Sequence, residues 1–306
     1  MSEQQMKQKK IEQRGLLAGI MVNLLMSIAG MTVFYLTQIE ALFVDAYFTI
    51  ITLLSGIVSF FISKFSEKTS QRFPQGFFVL EPLYSLFQAA LTLTLLASSL
   101  LSVTQKALVY FTTGQGTVMQ VGPVIPYEIV MVSLSWGLSW YYSKQNRLIN
   151  HTSTMLSAES KSTLIDGIMS AGIGVVACVL LFIKEHSSLG FLLYTGDFFV
   201  TLTLILLTVR IPLHIMKNCF IEISGGTLTN KNLQQTINAC VQTHLLPNFP
   251  IKQCLIYKTG MSLRVHVQLS SQLHTINNES LQHQKKLILK ELSAHFAFIK
   301  LEICVA

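Results

Sequence analysis

The chain has 306 residues, of which 51% are hydrophobic and only 12% charged, and it carries a formal net charge of +7. A soluble domain has about a quarter charged residues. The shortfall excludes an ordinary soluble globular protein and points to the bilayer. The basic excess follows from how Lys and Arg are distributed among loops, as set out below, so it calls for no nucleic-acid partner.

The first 14 residues, MSEQQMKQKKIEQR, are too polar and too long before the apolar stretch for a signal peptide. They read as a retained N-terminal segment (1–14). A membrane helix needs about 20 mostly apolar residues. Six stretches qualify: 15–37, 41–63, 79–104, 124–143, 160–183 and 189–212. The fourth is the poorest, because Pro123 and Pro126 open it and Glu128 follows. Proline at a helix start is tolerated, since its missing N–H would have no helical partner there.

Lys and Arg cluster on alternate loops. Lys7, Lys9, Lys10 and Arg14 precede the first span. Lys64, Lys68 and Arg72 follow the second, Lys144 and Arg147 fall between the fourth and fifth, and Lys161 stands at the opening of the fifth. The opposite side shows only Lys106 and Lys184. By the positive-inside rule both termini face the cytoplasm. The six-span domain is 15–215 and the tail is 216–306.

In the tail, Gly225 and Gly226 break the chain before a helix over 230–245, with Thr229 or Asn230 as its N-cap. Strands are expected at 251–257 and 262–270. The second alternates Leu263, Val265, Val267 and Leu269 with Arg264, His266 and Gln268. A helix over 278–294 carries Leu281, Leu287, Ile288 and Leu292 as its apolar positions, and 298–306 closes as a strand. The order α-β-β-α-β predicts a small two-layer α/β domain. The fold class is therefore an α-helical membrane protein: a six-helix transmembrane bundle followed by a small cytoplasmic α/β domain. The five cysteines form no CxxC pair, and four lie in or near the tail at no regular spacing, so neither a disulfide framework nor a zinc knuckle is read from them. Neither a nucleotide loop nor a nucleophile–base set is visible, and the chain does not read as an enzyme.

Acids within spans are rare and are functional-site hypotheses by default. Four stand out: Asp45, Glu81, Asp166 and Asp197. Glu81 and Asp197 sit near span ends, where water lowers the cost. Asp45 and Asp166 lie deeper. Each has a hydroxyl residue four positions away on the same helical face, Thr49 after Asp45 and Ser162 before Asp166. Facing each other, the two helices could form an oxygen-lined pocket. Apart from Lys161 at the opening of the fifth, no Lys or Arg lies within either span to neutralise the carboxylates. That leaves a proton, a metal ion or a water-filled cavity, or else a protonated Asp bonding to a neighbouring helix. Gly167, Ala171 and Gly174, with Ser170 among them, allow a close helix contact. One reading has that contact bring Asp166 near Asp45; generic packing is the other. Asn23 and Ser27 form a further polar i,i+4 pair, lining the same cavity or bonding across the bundle.

Four stretches, in order, resemble the cation diffusion facilitator family. ALFVDAYFTII is similar to the family's helix-2 metal segment, and RFPQGFFVLEPLYSLFQ to its loop-to-helix-3 signature, with Pro74, Gly76 and Glu81 matching. LSAESKSTLIDGIMS is similar to the helix-5 segment and TGDFFVTLTLILL to the helix-6 opening. The resemblance implies a multi-pass protein of the cell (inner) membrane that exports a divalent cation such as zinc, iron or manganese in exchange for protons. It also implies homodimerisation through the tail, and no cofactor besides the transported ion. Carried over residue by residue, the metal positions are Asp45, Thr49, Ser162 and Asp166, with hydroxyls where the family has a stronger ligand at Thr49 and Ser162. Phe73 replaces the usual His and Phe78 a Gly of the loop signature. In the tail, His283 falls on a common ligand position, while Lys252, Gln268 and Glu302 fall near others and His266 close by. The regulatory cluster therefore looks mostly lost. Two carboxylates with two hydroxyls suit a harder ion than zinc. The missing ligands also leave open a second reading, a non-transporting relative acting as partner subunit or sensor.

Overall fold

The computed structural model describes residues 3–37, 40–74, 76–114, 124–180, 191–245, 251–270 and 278–305. The described helices are α1 (Glu3–Thr37), α2 (Glu40–Phe65), α3 (Leu80–Thr113), α4 (Val124–Leu148), α5 (Thr154–Leu180), α6 (Leu192–Thr208) and α7 (Arg210–Ile223), then α8 (Lys231–His244) and α9 (Asn278–His295). The strands are β1 (Ile251–Thr259), β2 (Ser262–Leu269) and β3 (Ile299–Val305). Among the described residues, four stretches are long and apolar enough to cross a membrane: Gln5–Leu36, Leu80–Thr113, Thr154–Val179 and Tyr194–Ile223. A shorter apolar one covers Thr49–Phe65.

The helices extend beyond the apolar windows. α1 starts at Glu3, so the polar N-terminal segment is one helix with the stretch that follows. α5 starts at Thr154, six residues before the expected span, and brings Glu159 into the helix. The last stretch comprises α6 and α7, which meet at Val209, itself helical (φ −56, ψ −28). Pro212, in the first turn of α7, lacks the N–H that would bond the carbonyl of Thr208.

The bundle is apolar outside and polar inside, as the bilayer requires. Exposed positions include Met21, Leu25 and Ile28 on α1, Leu101 and Phe111 on α3, and Ile129, Trp136 and Trp140 on α4. The buried face of α3 instead carries Glu81, Tyr84, Ser85, Gln88 and Thr92. Glycines permit close crossings. A Cβ on Gly19 would lie 1.6 Å from the Tyr142 hydroxyl, joining α1 to α4, and one on Gly167 would lie 2.4 Å from Trp136, joining α5 to α4.

The tail has the expected α-β-β-α-β order. β1 and β2 are antiparallel, β2 and β3 parallel, in the order β1-β2-β3. α9 makes the crossover that a parallel pair needs. Leu263, Val265, Val267 and Leu269 of the central strand are all fully buried, against Ile237 and Val241 of α8 and Ile288 and Leu292 of α9. Leu287, expected in this core, is 40% exposed; it lies off the 281, 288, 292 face. Asn230 caps α8, its side chain accepting from the N–H groups of Asn232 and Leu233.

The tail is seated on the bundle by its β1–β2 turn. Gly260 has φ +57, and a Cβ there would lie 2.7 Å from the Phe78 carbonyl, so only glycine lets the turn approach α3 this closely. Met261 is buried in a cluster with Leu16, Phe78 and Tyr84, and the Phe78 and Phe298 rings lie 4.8 Å apart.

Candidate functional site

α5 presents Glu159, Ser162, Thr163, Asp166 and Ser170 at offsets 0, 3, 4, 7 and 11, one stripe of a helical surface. Its middle borders a cavity of about 120 Å³ inside the bundle. Asn23 of α1, Thr49 and Thr52 of α2, Thr92 and Ser99 of α3, Ser135 of α4, and Thr163, Asp166 and Ser170 of α5 supply its polar lining. Met26, Leu96, Met131 and Met169 are among the apolar residues that close it. A water occupies about 30 Å³ of liquid, so the volume suits an ion with a few waters. Ser135 Oγ is buried and has no hydrogen-bond partner among the described residues. A buried hydroxyl in that condition is costly unless water or an ion reaches it. The set is one carboxylate, hydroxyls and an amide, which favours hard cations.

Thr49 and Asp166, from separate helices, meet on this one cavity. Asp45 belongs to α2, one turn before Thr49, with its side chain outside the described residues; the same holds for Asp197 on α6. Ser162 is buried beside the cavity without joining its lining. Its hydroxyl is 3.0 Å from that of Thr92, which does line it, and accepts from Gln88 Nε2 at 3.5 Å. Asn23 lines the cavity, whereas Ser27 turns back to donate to the Asn23 carbonyl at 2.8 Å. The small-residue stripe packs α5 on α4: Gly167 against Trp136 and Ser135, and Gly174 against Glu128.

Two polar groupings escaped the sequence reading. In the first, Tyr84 donates to Glu159 at 2.5 Å. Ser55 lies 3.0 Å from the Tyr84 hydroxyl and also donates to Gln88, which continues to Ser162 and Thr92. A continuous hydrogen-bonded run thus leads from the buried Glu159 carboxylate to the cavity wall. Glu159 was missed because it precedes the apolar window by one residue; its i,i+7 spacing to Asp166 was the available signal.

The second centres on Glu81, which is fully buried and so does not lie at a water interface. Glu81 Oε1 receives Lys9 Nζ and Ser66 Oγ, each at 2.6 Å, and Oε2 receives the Met261 N–H at 2.8 Å. Lys9 also donates to Glu12 at 2.6 Å, and Glu12 accepts from Ser63 and Ser153, both at 2.5 Å. Lys9, counted among the basic residues before the first span, is 2% exposed because α1 carries it into this network. Alongside, Glu222 of α7 binds Lys258 Nζ at 2.9 Å and the Gly260 N–H at 3.2 Å.

Residues 16–223 match the family model of the cation efflux transmembrane domain. The chain belongs to the cation efflux (cation diffusion facilitator) family. No curated protein matches it. The family is one of metal cation transporters, and the match covers every residue that lines the cavity. In this cation efflux protein the signature residues have a visible local role. Gly76, at φ +80, would place a Cβ 2.9 Å from the Ser66 carbonyl, so it lets the loop before α3 fold against the end of α2. Glu81 then fastens the ends of α1 and α2 and the start of α3 to the tail.

In the tail, His283 is exposed on α9, and Lys252 and Glu302 are exposed on β1 and β3. His266 pairs with Glu302 at 3.2 Å. All five cysteines are free.

Proposed function

We propose that this cation efflux protein exports a divalent cation from the cytoplasm in exchange for protons, through the cavity between α2 and α5. Asp45 and Asp166 bind the ion and take up protons when it leaves. Thr49 is a neutral oxygen ligand, and Ser162 acts with Thr92 as the second hydroxyl donor. The observation that carries this reading is the meeting of Thr49 and Asp166 on one oxygen-lined cavity, beside a buried Ser135 hydroxyl that lacks a partner among the described residues. The donor set favours Mn²⁺ or another hard ion over zinc, while zinc, iron and manganese all fit the family. Six spans, cytoplasmic termini, an inner-membrane location and a homodimer joined through the tail complete the proposal. Alternating access would come from rocking of the bundle around the cavity.

A second reading, a non-transporting partner subunit or sensor, draws on the hydroxyls at Thr49 and Ser162. A mixed complex with a relative of complete site, in which only the relative's site matters, would favour it.

The test is thermal stability of the intact chain across a panel of divalent ions, beside Asp45→Ala/Asp166→Ala. A ligand that binds only the folded state raises its stability with concentration. The proposal expects greater ion-dependent stabilisation of the intact chain than of the double variant; equal shifts in both proteins contradict it.

A further inference from the structure

Cys240 and His244 lie one turn apart on α8, and Glu291 faces them from α9. One ligand atom from each, a thiol, an imidazole nitrogen and a carboxylate oxygen, lies within 4.8 Å of the other two. His244 Nε2 is paired with Glu291 Oε2, and the Cys240 thiol bonds to the same carboxylate. Tetrahedral zinc, with ligand distances of about 2.0–2.3 Å, holds its donors roughly 3–4 Å apart. The three side chains therefore need only small rotations to surround an ion. Cys240 is buried, while His244 and Glu291 reach solvent, which gives the ion a route in and leaves the fourth position to water.

We propose that Cys240, His244 and Glu291 form a metal site for a thiophilic divalent ion of the zinc class, clamping α8 to α9. It is distinct from the oxygen-lined cavity in place and in donor chemistry, and from His283, Lys252, Gln268 and Glu302. On binding, the thiol gives its proton to solvent and the sulfur bonds the metal; no redox change occurs. Glu291 lies one turn before His295, whose carbonyl accepts from Gln8 of α1 at 3.1 Å and from Asn150 of the α4–α5 turn at 2.8 Å. Occupancy therefore stiffens the helix by which the tail holds two parts of the bundle.

The test is Co²⁺ titration of the full chain in detergent, read by absorption. The expected result is a thiolate-to-cobalt charge-transfer band with tetrahedral ligand-field bands. Cys240→Ser removes the charge-transfer band, and His244→Gln and Glu291→Gln each weaken Co²⁺ binding at this band by at least about tenfold. A missing band in the intact chain, or a band unchanged in Cys240→Ser, overturns the proposal. Should Cys240→Ser fail to fold, His244→Gln decides the matter: its side chain is partly exposed, and unaltered Co²⁺ affinity there overturns the site. Asp166→Asn leaves the band in place, because no cysteine is among the described residues that line the cavity. Failure of the transport reading would thus appear in flux and not in this spectrum.

Discussion

The backbone N–H of Met261 donates to Glu81 Oε2 at 2.8 Å, tying the tip of the tail's hairpin to the first turn of α3. The other oxygen of the same carboxylate holds Lys9 and Ser66. One buried side chain thus links α1, the end of α2, α3 and the tail. A displacement of the tail against the bundle would have to break this joint.

Lys9→Met should be among the most damaging single changes outside the cavity. It leaves Glu12 and Glu81 buried without their shared cation, and breaking a buried ion pair from one side costs about 3–5 kcal/mol. Lys9→Met/Glu81→Gln should cost less than the sum of the two single changes. Thermal unfolding of the full chain checks this, and strict additivity would contradict a coupled network.

Gly260→Ala should loosen the tail from the bundle. The new methyl would occupy a left-handed backbone position and meet the Phe78 carbonyl at 2.7 Å, costing more than about 1 kcal/mol. Limited proteolysis should show faster cleavage around residues 258–261. An unchanged digestion pattern would mean that the turn does not bear on α3 as described.

Tyr84→Phe removes the phenol that donates to Glu159. The variant should lose about 1–3 kcal/mol, the cost of a buried group deprived of its partner. Glu159→Gln should be milder, because an amide can still accept from Tyr84. The ranking of the two unfolding midpoints is the measurement, and a reversed order would refute the assigned donor.

Burial, with the Glu291 carboxylate beside it, pushes the Cys240 thiol from 9.0 up to about 11. The folded chain therefore holds this proton more tightly than the unfolded chain. The associated stability is fully present below about pH 9 and is lost as pH rises towards about 11. His244 also faces this group, and Cys254 in the same domain is raised by burial as well. Stability of the metal-free protein should fall more steeply between these pH values than that of Cys240→Ser. Parallel curves would show that the thiol does not contribute.

The tail was largely legible because its signals are local. Alternation in 263–269 marks a strand buried on one face, and the Asn230 cap and the Gly260 turn set its boundaries. The cavity was half legible. The i,i+4 spacings of Asp45–Thr49 and Ser162–Asp166 marked two helices, but a single helix does not reveal which neighbours complete a pocket. Thr92, Ser99 and Ser135 are unremarkable serines and threonines until α3 and α4 are placed beside them. Lys9 counted only towards the basic charge before the first span, because a hydropathy window cannot see that α1 continues past its apolar part into a polar interior. Cys240 and His244 stand at helical spacing, yet their third partner is 47 residues from His244, beyond the reach of any local pattern.

The central claim is that Asp166 carries an ion through the bundle. Divalent-cation flux into proteoliposomes, measured with an internal dye under an imposed proton gradient, tests it most directly for the intact chain and for Asp166→Asn. The account predicts gradient-dependent flux in the first and only background in the second, at equal folding. Equal flux from both would contradict it.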